Sequence, residues 1–452
     1  MKSGTGRRLI FFLGGGLFLL LAVFWFGVHL LQPAGIVPGN GDGTIGVFGP
    51  FVVIFSSTAD KEAAEASIGF EPPLTGEFRW DGSRVSFWPS QPLNVGEEYT
   101  VKVAGKSPLA GGQPFGKGST RTFLVRSPQL LYLSPSDRPE IWRLVLDGTP
   151  AVQMTHTQGK IYDYAVDRSG EKILYSAKND QGGISLWITD REGGSARSLL
   201  PCGEDICIQP SFSPFGDQLA YVRRNANGVP GSSPGLPRVW LMNLNDGSTQ
   251  PLPMSPEHSG SNPAYSPDGK WLSYYDELAA QIHLVKLSTG EEVVLERAAN
   301  IPATWTADSQ WLYFVQVQQE ETVTFNILVQ WNADTRKISR VFPGEGESGI
   351  DEGPALFSPN GQWLAVRRAE IGHPESRIFE VMSNPGGTAT TIAINAPDIL
   401  GMASWSPDSA HLAFQVFRSG GSSATPAVRV WSQEEHRTIE VASDAMLPQW
   451  LP

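Results

Sequence analysis

The feature that most restricts what this chain can fold into is a recurring cadence. "QPSFSPFGDQLAYV" (209–222), "NPAYSPDGKWLSYY" (262–275) and "MASWSPDSAHLAFQ" (402–415) each place an aromatic before Ser-Pro, then a turn, then an apolar-alternating run. In Ser-Pro-Asp-Gly, proline presets φ at the second turn position, Asp suits the third, and Gly tolerates the conformation that follows. The cadence therefore predicts a tight hairpin between two strands. Asp167, Ser213, Ser266, Thr306, Ser358, Ser406 and Leu451 fall at equivalent positions, 40–53 residues apart. After each of the first six comes an alternating strand ("KILYS", "QLAYV", "WLSYY", "WLYFV", "WLAVR", "HLAFQ"). A third strand such as "SLWITD" or "QIHLVKL" and a short fourth one follow. Four strands per repeat, stacked in series, is the pattern of a β-propeller blade.

The two ends of the repeat region complement each other. Residues 129–155 supply "LLYLS", "IWRLVL" and "AVQMT", a unit without an inner strand. The C-terminal "LPQWLP" is an inner strand without a unit, because Trp450-Leu451-Pro452 matches Trp405-Ser406-Pro407. Joined, they predict seven blades and a ring closed by the last strand, which removes a long unpaired edge. Small residues before the turns (Ser211, Ala264, Thr304, Ser404) suit a crowded central channel, and the aromatics beside them point to the neighbouring blade.

The "SPDG-x-x-[LI]-[AS]-[YF]" repeats resemble the TolB-type, WD40-like propellers over some 320 residues. That resemblance implies a propeller fold. Its implied functions divide among periplasmic partner-binding subunits, propeller domains of prolyl-oligopeptidase-type peptidases, and some lyases. The segment ahead of the propeller reads as β, not as the α/β domain found there in TolB, so TolB's partners are not carried over. Within that segment, "DGSRVSFWPSQPLNVGEEYTVKV" resembles the immunoglobulin-like domains of bacterial surface-layer and adhesion proteins, which implies a spacer. The expected fold class is all-β: a seven-bladed β-propeller closed by the C-terminal strand, an Ig-like β-sandwich and one N-terminal transmembrane helix. The corresponding divisions are a cytoplasmic N-terminus (1–8), an anchor (9–31), a linker (32–46), the sandwich (47–126) and the propeller (127–452).

The anchor is expected from "LIFFLGGGLFLLLAVFWFGVHLL", whose 23 uncharged residues would span about 34 Å as a helix, against a hydrocarbon core of about 30 Å. Lys2, Arg7 and Arg8 precede it and no basic residue follows closely, so the positive-inside rule puts the N-terminus in the cytoplasm. The expected localisation is a single-pass cell-membrane protein with most of the chain extracytoplasmic. The two cysteines, Cys202 and Cys207 in "PCGEDIC", are expected to pair in such an oxidising setting. A formal charge of −12 excludes ordinary nucleic-acid binding, which needs clustered Lys and Arg.

Motifs for chemistry are sparse. "GSSPG" (231–235) matches G-x-S-x-G around Ser233, but in a Pro/Gly-rich loop without the strand and helix of a nucleophile elbow. No Walker loop, HExxH or EF-hand loop is present. Of the seven histidines, His29 is in the apolar segment and His283 on a third strand. His156, His258 and His373 map to one rim without paired spacing, which makes them weak metal candidates. That rim also collects the long second-to-third-strand loops and the inter-blade loops. Arg223, Arg224, Arg367, Arg368 and Arg418 would be its cationic anchors, among the acidic Glu204, Asp205, Glu347, Asp351 and Glu352. The expectation is a binding or scaffold protein that takes an envelope protein, peptide or glycan on this rim and uses no cofactor. The alternative is a metal-dependent lyase or hydrolase at the channel mouth.

Overall fold

The computed structural model describes residues 35–37, 43–55, 60–104, 118–226, 234–320, 322–342, 349–383, 389–392, 399–417 and 425–452. The chain divides into two compact units. One comprises the described residues up to Ile45 with Gly49–Arg126, and the other comprises Gly46–Phe48 with Ser127–Pro452.

Among its described residues the first unit holds two four-stranded sheets. One orders Gly35–Val37, Phe51–Ile54, Arg84–Pro89 and Gly76–Asp81; the other orders Thr44–Ile45, Ser119–Val125, Glu98–Val103 and Ile68–Glu71. Alternation aims one face of each sheet at the other, and aromatic rings meet between them: Phe51 with Phe123 at 5.5 Å, Phe70 with Phe87 at 4.2 Å. A short helix that strand patterning does not anticipate, Lys61–Ala66, is capped by Asp60, whose carboxylate accepts the Ala63 N–H at 2.8 Å. The immunoglobulin-like identity finds no support here. Its motif spans one strand from each sheet and the turn between them, and so does not specify sheet order.

Among the described residues of the second unit the repeat becomes seven four-stranded antiparallel units, here called blades. Blade two is Ile161–Val166, Lys172–Lys178, Ile184–Asp190 and Arg197–Leu200; blade four is Ser261–Tyr265, Trp271–Asp276, Gln281–Lys286 and Glu292–Leu295. Blade one takes its inner strand from the far end of the chain: Met446–Leu451 lies antiparallel to Gln129–Ser134. Cores fill the contacts between successive blades. Trp271, Trp305 and Trp331 meet between blades four and five, while Trp450, Leu130 and Tyr132 meet Ala413, Val428 and Val430 between blades one and seven.

The Ser-Pro turn is explained by its hydrogen bonds. In blade four the Ser266 hydroxyl accepts the Trp271 N–H at 3.0 Å and donates to Asp268 at 2.6 Å. Thr306, Ser358 and Ser406 repeat both bonds, to Trp311 and Asp308, Trp363 and Asn360, and His411 and Asp408. Blade two inverts the pair. There the Asp167 carboxylate accepts the Lys172 N–H at 2.6 Å and the hydroxyl of Ser169 donates to it. The aromatic beside the turn reaches the preceding blade: Trp405 Nε1 donates to the Leu356 carbonyl at 2.9 Å, and Trp450 Nε1 to that of Ser404 at 3.0 Å.

Two expectations about the fold class need correction. Among the described residues no helix is long and apolar enough to cross a membrane. Residues 9–31, where the transmembrane helix was expected, lie outside the described residues, and the single-pass localisation therefore loses its structural support. Nor do the sheets join into one closed sheet. Among the described residues the one pairing between strands of neighbouring blades is the parallel pairing of Ile184 with Ile206, and elsewhere blades meet through side-chain packing and hydrogen bonds made by side chains.

Candidate functional site

In blades three and four the connection from second to third strand meets the loop that enters the blade: the Ala226 N–H donates to Asp205 at 2.7 Å, and the Glu277 N–H to the Ser259 hydroxyl at 2.8 Å. The disulfide Cys202–Cys207 closes the loop between blades two and three, as expected from the sequence. Inside it, Asp205 is gripped by Arg223 at 2.8 Å (Nε) and 2.6 Å (Nη2), and also accepts the Ala226 N–H at 2.7 Å. Arg223 lies over the Trp240 ring, 5.0 Å from its centre. Arg224 is half-buried, opposite Ile206.

On blade six, Arg368 donates to Glu380 at 3.0 Å, approaches Glu352 at 3.8 Å and covers the Phe342 ring at 4.5 Å. Glu352 is fully buried and accepts the Leu328 N–H at 2.6 Å, while Asp351 accepts that of Asn326 at 2.8 Å. Burial, then the neighbouring Arg377, lower the pKa of Arg367, against the opposing pull of Asp351. Glu347 and Arg418 lie outside the described residues, as does Ser233. The structure thus gathers Arg367, Arg368, Asp351 and Glu352 on blade six and leaves Arg223 and Arg224 on blade three. Arg223 and Arg368 spend their charge holding acidic residues of this chain, a pairing that sequence alone cannot foresee.

The histidines separate differently from expectation. His156 and His373 are exposed, in blades one and six. His258 instead meets two residues that sequence reading passed over, Asp276 and His283, and their ligand atoms all lie within 4.8 Å of one another. Asp276 ends the second strand of blade four, His283 sits on its third, and His258 lies in the loop that enters the blade. The two rings are 4.7 Å apart. His283 Nδ1 is 2.7 Å from Glu292, and its ring stacks on Tyr274 at 4.8 Å. Asp276 Oδ1 accepts Ser259 N–H, Ser259 O–H and Leu278 N–H at 3.1, 2.7 and 2.9 Å. Burial raises the Asp276 pKa, but these bonds outweigh it and hold the carboxyl below its ordinary value. The available signal was positional. The residue paired with the second-strand tyrosine is Trp187 in blade two, Trp240 in blade three and His283 in blade four.

The channel wall carries a polar chain from blade to blade. Asp163 of blade two accepts the Gln209 N–H at 2.7 Å, Gln209 accepts the Asn262 N–H at 2.7 Å, and the Asn262 amide donates to Asn300 at 3.1 Å. Burial pushes Asp163 up to about 6, against the lowering effect of Ser176 and Gln209. A cavity of about 270 Å³ is lined by the inner strands of blades seven, one and two, including Met402, Ser404, Gln449 and Trp450.

No family model matches the chain. Dipeptidyl-peptidase 5 of Porphyromonas gingivalis is 26% identical over 195 residues, 41% of this chain and 27% of that protein. The Tol-Pal system protein TolB of a Polaromonas species is 41% identical over 70 residues, 14% of this chain and 16% of that one. The chain therefore matches about a quarter or less of each relative's length. Among solved structures, a puromycin-hydrolyzing peptidase of Mycobacterium tuberculosis superposes with a TM-score of 0.52 at 12% identity, covering 90% of this chain and 57% of that one. The fold is a β-propeller. At such identity the likeness speaks to fold alone.

Proposed function

We propose that the chain is a non-catalytic binding or scaffold protein that takes a protein, peptide or glycan partner on the rim of its propeller. The observation that carries this reading is an investment of chain that the core does not need. Blade five extends its central hairpin to ten residues per strand, paired continuously from Trp311↔Asn332 to Glu320↔Val323, where blades two to four use six or seven. Toward its tip the hairpin buries little: Gln319, Glu320 and Thr324 are exposed, and Val323 is 44% exposed. The hairpin of adjacent blade six also runs on, to Glu370↔His373. Ordering each such residue costs roughly 1–2 kcal/mol of backbone entropy, and a rigid scaffold presenting exposed hairpins suits recognition.

The TolB relative, named as a Tol-Pal system protein, is in keeping with this role. The enzymatic alternative receives less support. Among the described residues the one three-residue His/Asp group sits on blade four's second and third strands and its entry loop, with no member on an inner strand. A photo-crosslinking amino acid at Gln319 should capture a discrete partner in cells. The same group at exposed Asn245, in a third-to-fourth-strand turn on the opposite rim, should not. Equal labelling from both positions, or none from either, would count against the rim.

A further inference from the structure

We infer that blade four carries a divalent-cation site of the zinc class, formed by His258, Asp276 and His283. The argument begins with atoms that have nothing to bond to. His258 Nδ1, Asp276 Oδ2 and His283 Nε2 are all buried and without a hydrogen-bond partner, and their three residues bring one ligand atom each within 4.8 Å of one another. Asp276 and His283 are both 0% exposed, which makes an unpartnered atom on either costly. Buried polar atoms are satisfied in the large majority of cases, and three orphans facing one point call for a common occupant.

The donor set selects the class of occupant. Glu292 accepts at His283 Nδ1, so the Nδ1 proton stays there and Nε2 presents a lone pair inward. Asp276 has committed Oδ1 to three donors and presents Oδ2 as a bare oxygen. His283 Nε2 and Asp276 Oδ2 are 3.9 Å apart, beyond hydrogen-bond reach of each other, and a cation between them would satisfy both. Tetrahedral bonds of about 2.0–2.1 Å place two ligand atoms roughly 3.4 Å apart, which asks this pair to close by about 0.5 Å. Two imidazole nitrogens and one carboxylate suit zinc better than calcium or magnesium, which prefer all-oxygen shells.

The supporting contacts are those of a metal centre. The Glu292–His283 pair orients the ring through its far nitrogen, and Ser259 orients the carboxylate. Arg238 donates to the carbonyls of Ser255, Pro256 and His258 at 2.8, 3.4 and 2.5 Å, holding the loop that delivers His258. His258 is only half-buried, which lets it close the remaining distance. An ion there would staple the loop between blades three and four onto the second and third strands. Three protein ligands leave one position open to water.

The test uses the full chain, stripped with EDTA and titrated with zinc chloride by calorimetry, alongside elemental analysis and thermal melting. Wild type should take up one equivalent, with a Tm that rises with zinc concentration. His258→Ala, at a half-buried loop position, should fold normally and bind at least tenfold more weakly, as should Asp276→Asn. His156→Ala should bind as wild type does. Absence of stoichiometric uptake by wild type, or equal affinity in His258→Ala, would overturn the site.

Discussion

Ser266 supports a prediction with its own internal controls. It is 0% exposed, and its hydroxyl accepts the Trp271 N–H while donating to Asp268. Ser266→Ala strands a buried N–H and removes one donor from a carboxylate, which should cost about 1–3 kcal/mol. Ser266→Thr should cost far less, because Thr306 makes both bonds in blade five. Ser266→Asp alone should be worse than alanine, since it sets two carboxylates where one hydroxyl-to-carboxylate bond now spans 2.6 Å. Adding Asp268→Ser should recover most of the loss, since blade two already runs the pair in that order with Asp167 and Ser169. Urea melts followed by tryptophan fluorescence give the ranking, with Trp271 directly after the turn. An alanine variant as stable as wild type, or a double variant no better than Ser266→Asp, would show that the hydroxyl pair is not what holds this turn.

Two further outcomes follow from the channel and the tail. Asp163 is displaced from 3.8 to about 6 in the folded chain. The folded state therefore binds more protons than the unfolded between those values, and stability falls as pH rises through that window, by at most roughly 3 kcal/mol. Asp163→Asn should consequently be more stable than wild type in urea melts at pH 7.5, with the gain shrinking toward pH 5; an equal gain at both pH values would contradict the assignment. Trp450, 6% exposed and bonded to Ser404, should cost about 3–5 kcal/mol when replaced by alanine. Trp450→Phe should cost about 1 kcal/mol for the lost hydrogen bond, and a melting temperature unmoved by either variant would show that the tail bears no load.

Parts of the site were legible in the chain and parts were not, for a physical reason. The Cys202–Cys207 pair could be read because only six residues take part and nothing else competes for them. The extra chain between the second and third strands of blade five could be read because length counts along the chain. The partner of each rim arginine could not: Arg223 finds Asp205 across a strand pairing, and Arg368 finds Glu352 and Glu380 on two different neighbours. His258, Asp276 and His283 follow no motif spacing, because they come from a loop and two strands whose register only the folded blade sets.

What the sequence determined by itself is local and periodic. A hydroxyl two residues before a carboxylate, a glycine or a tolerant polar residue after it, and an alternating run define a hairpin wherever they occur, and their repetition defines the series of blades. The terminal Trp-Leu-Pro shows its role by the same likeness. What only the tertiary structure decided is which charges neutralise each other, which polar atoms are left facing one another without partners, and which hairpins outrun the core. Each of these depends on residues distant in sequence being brought within a few ångströms, where Coulomb and hydrogen-bond energies become large and sequence separation ceases to matter.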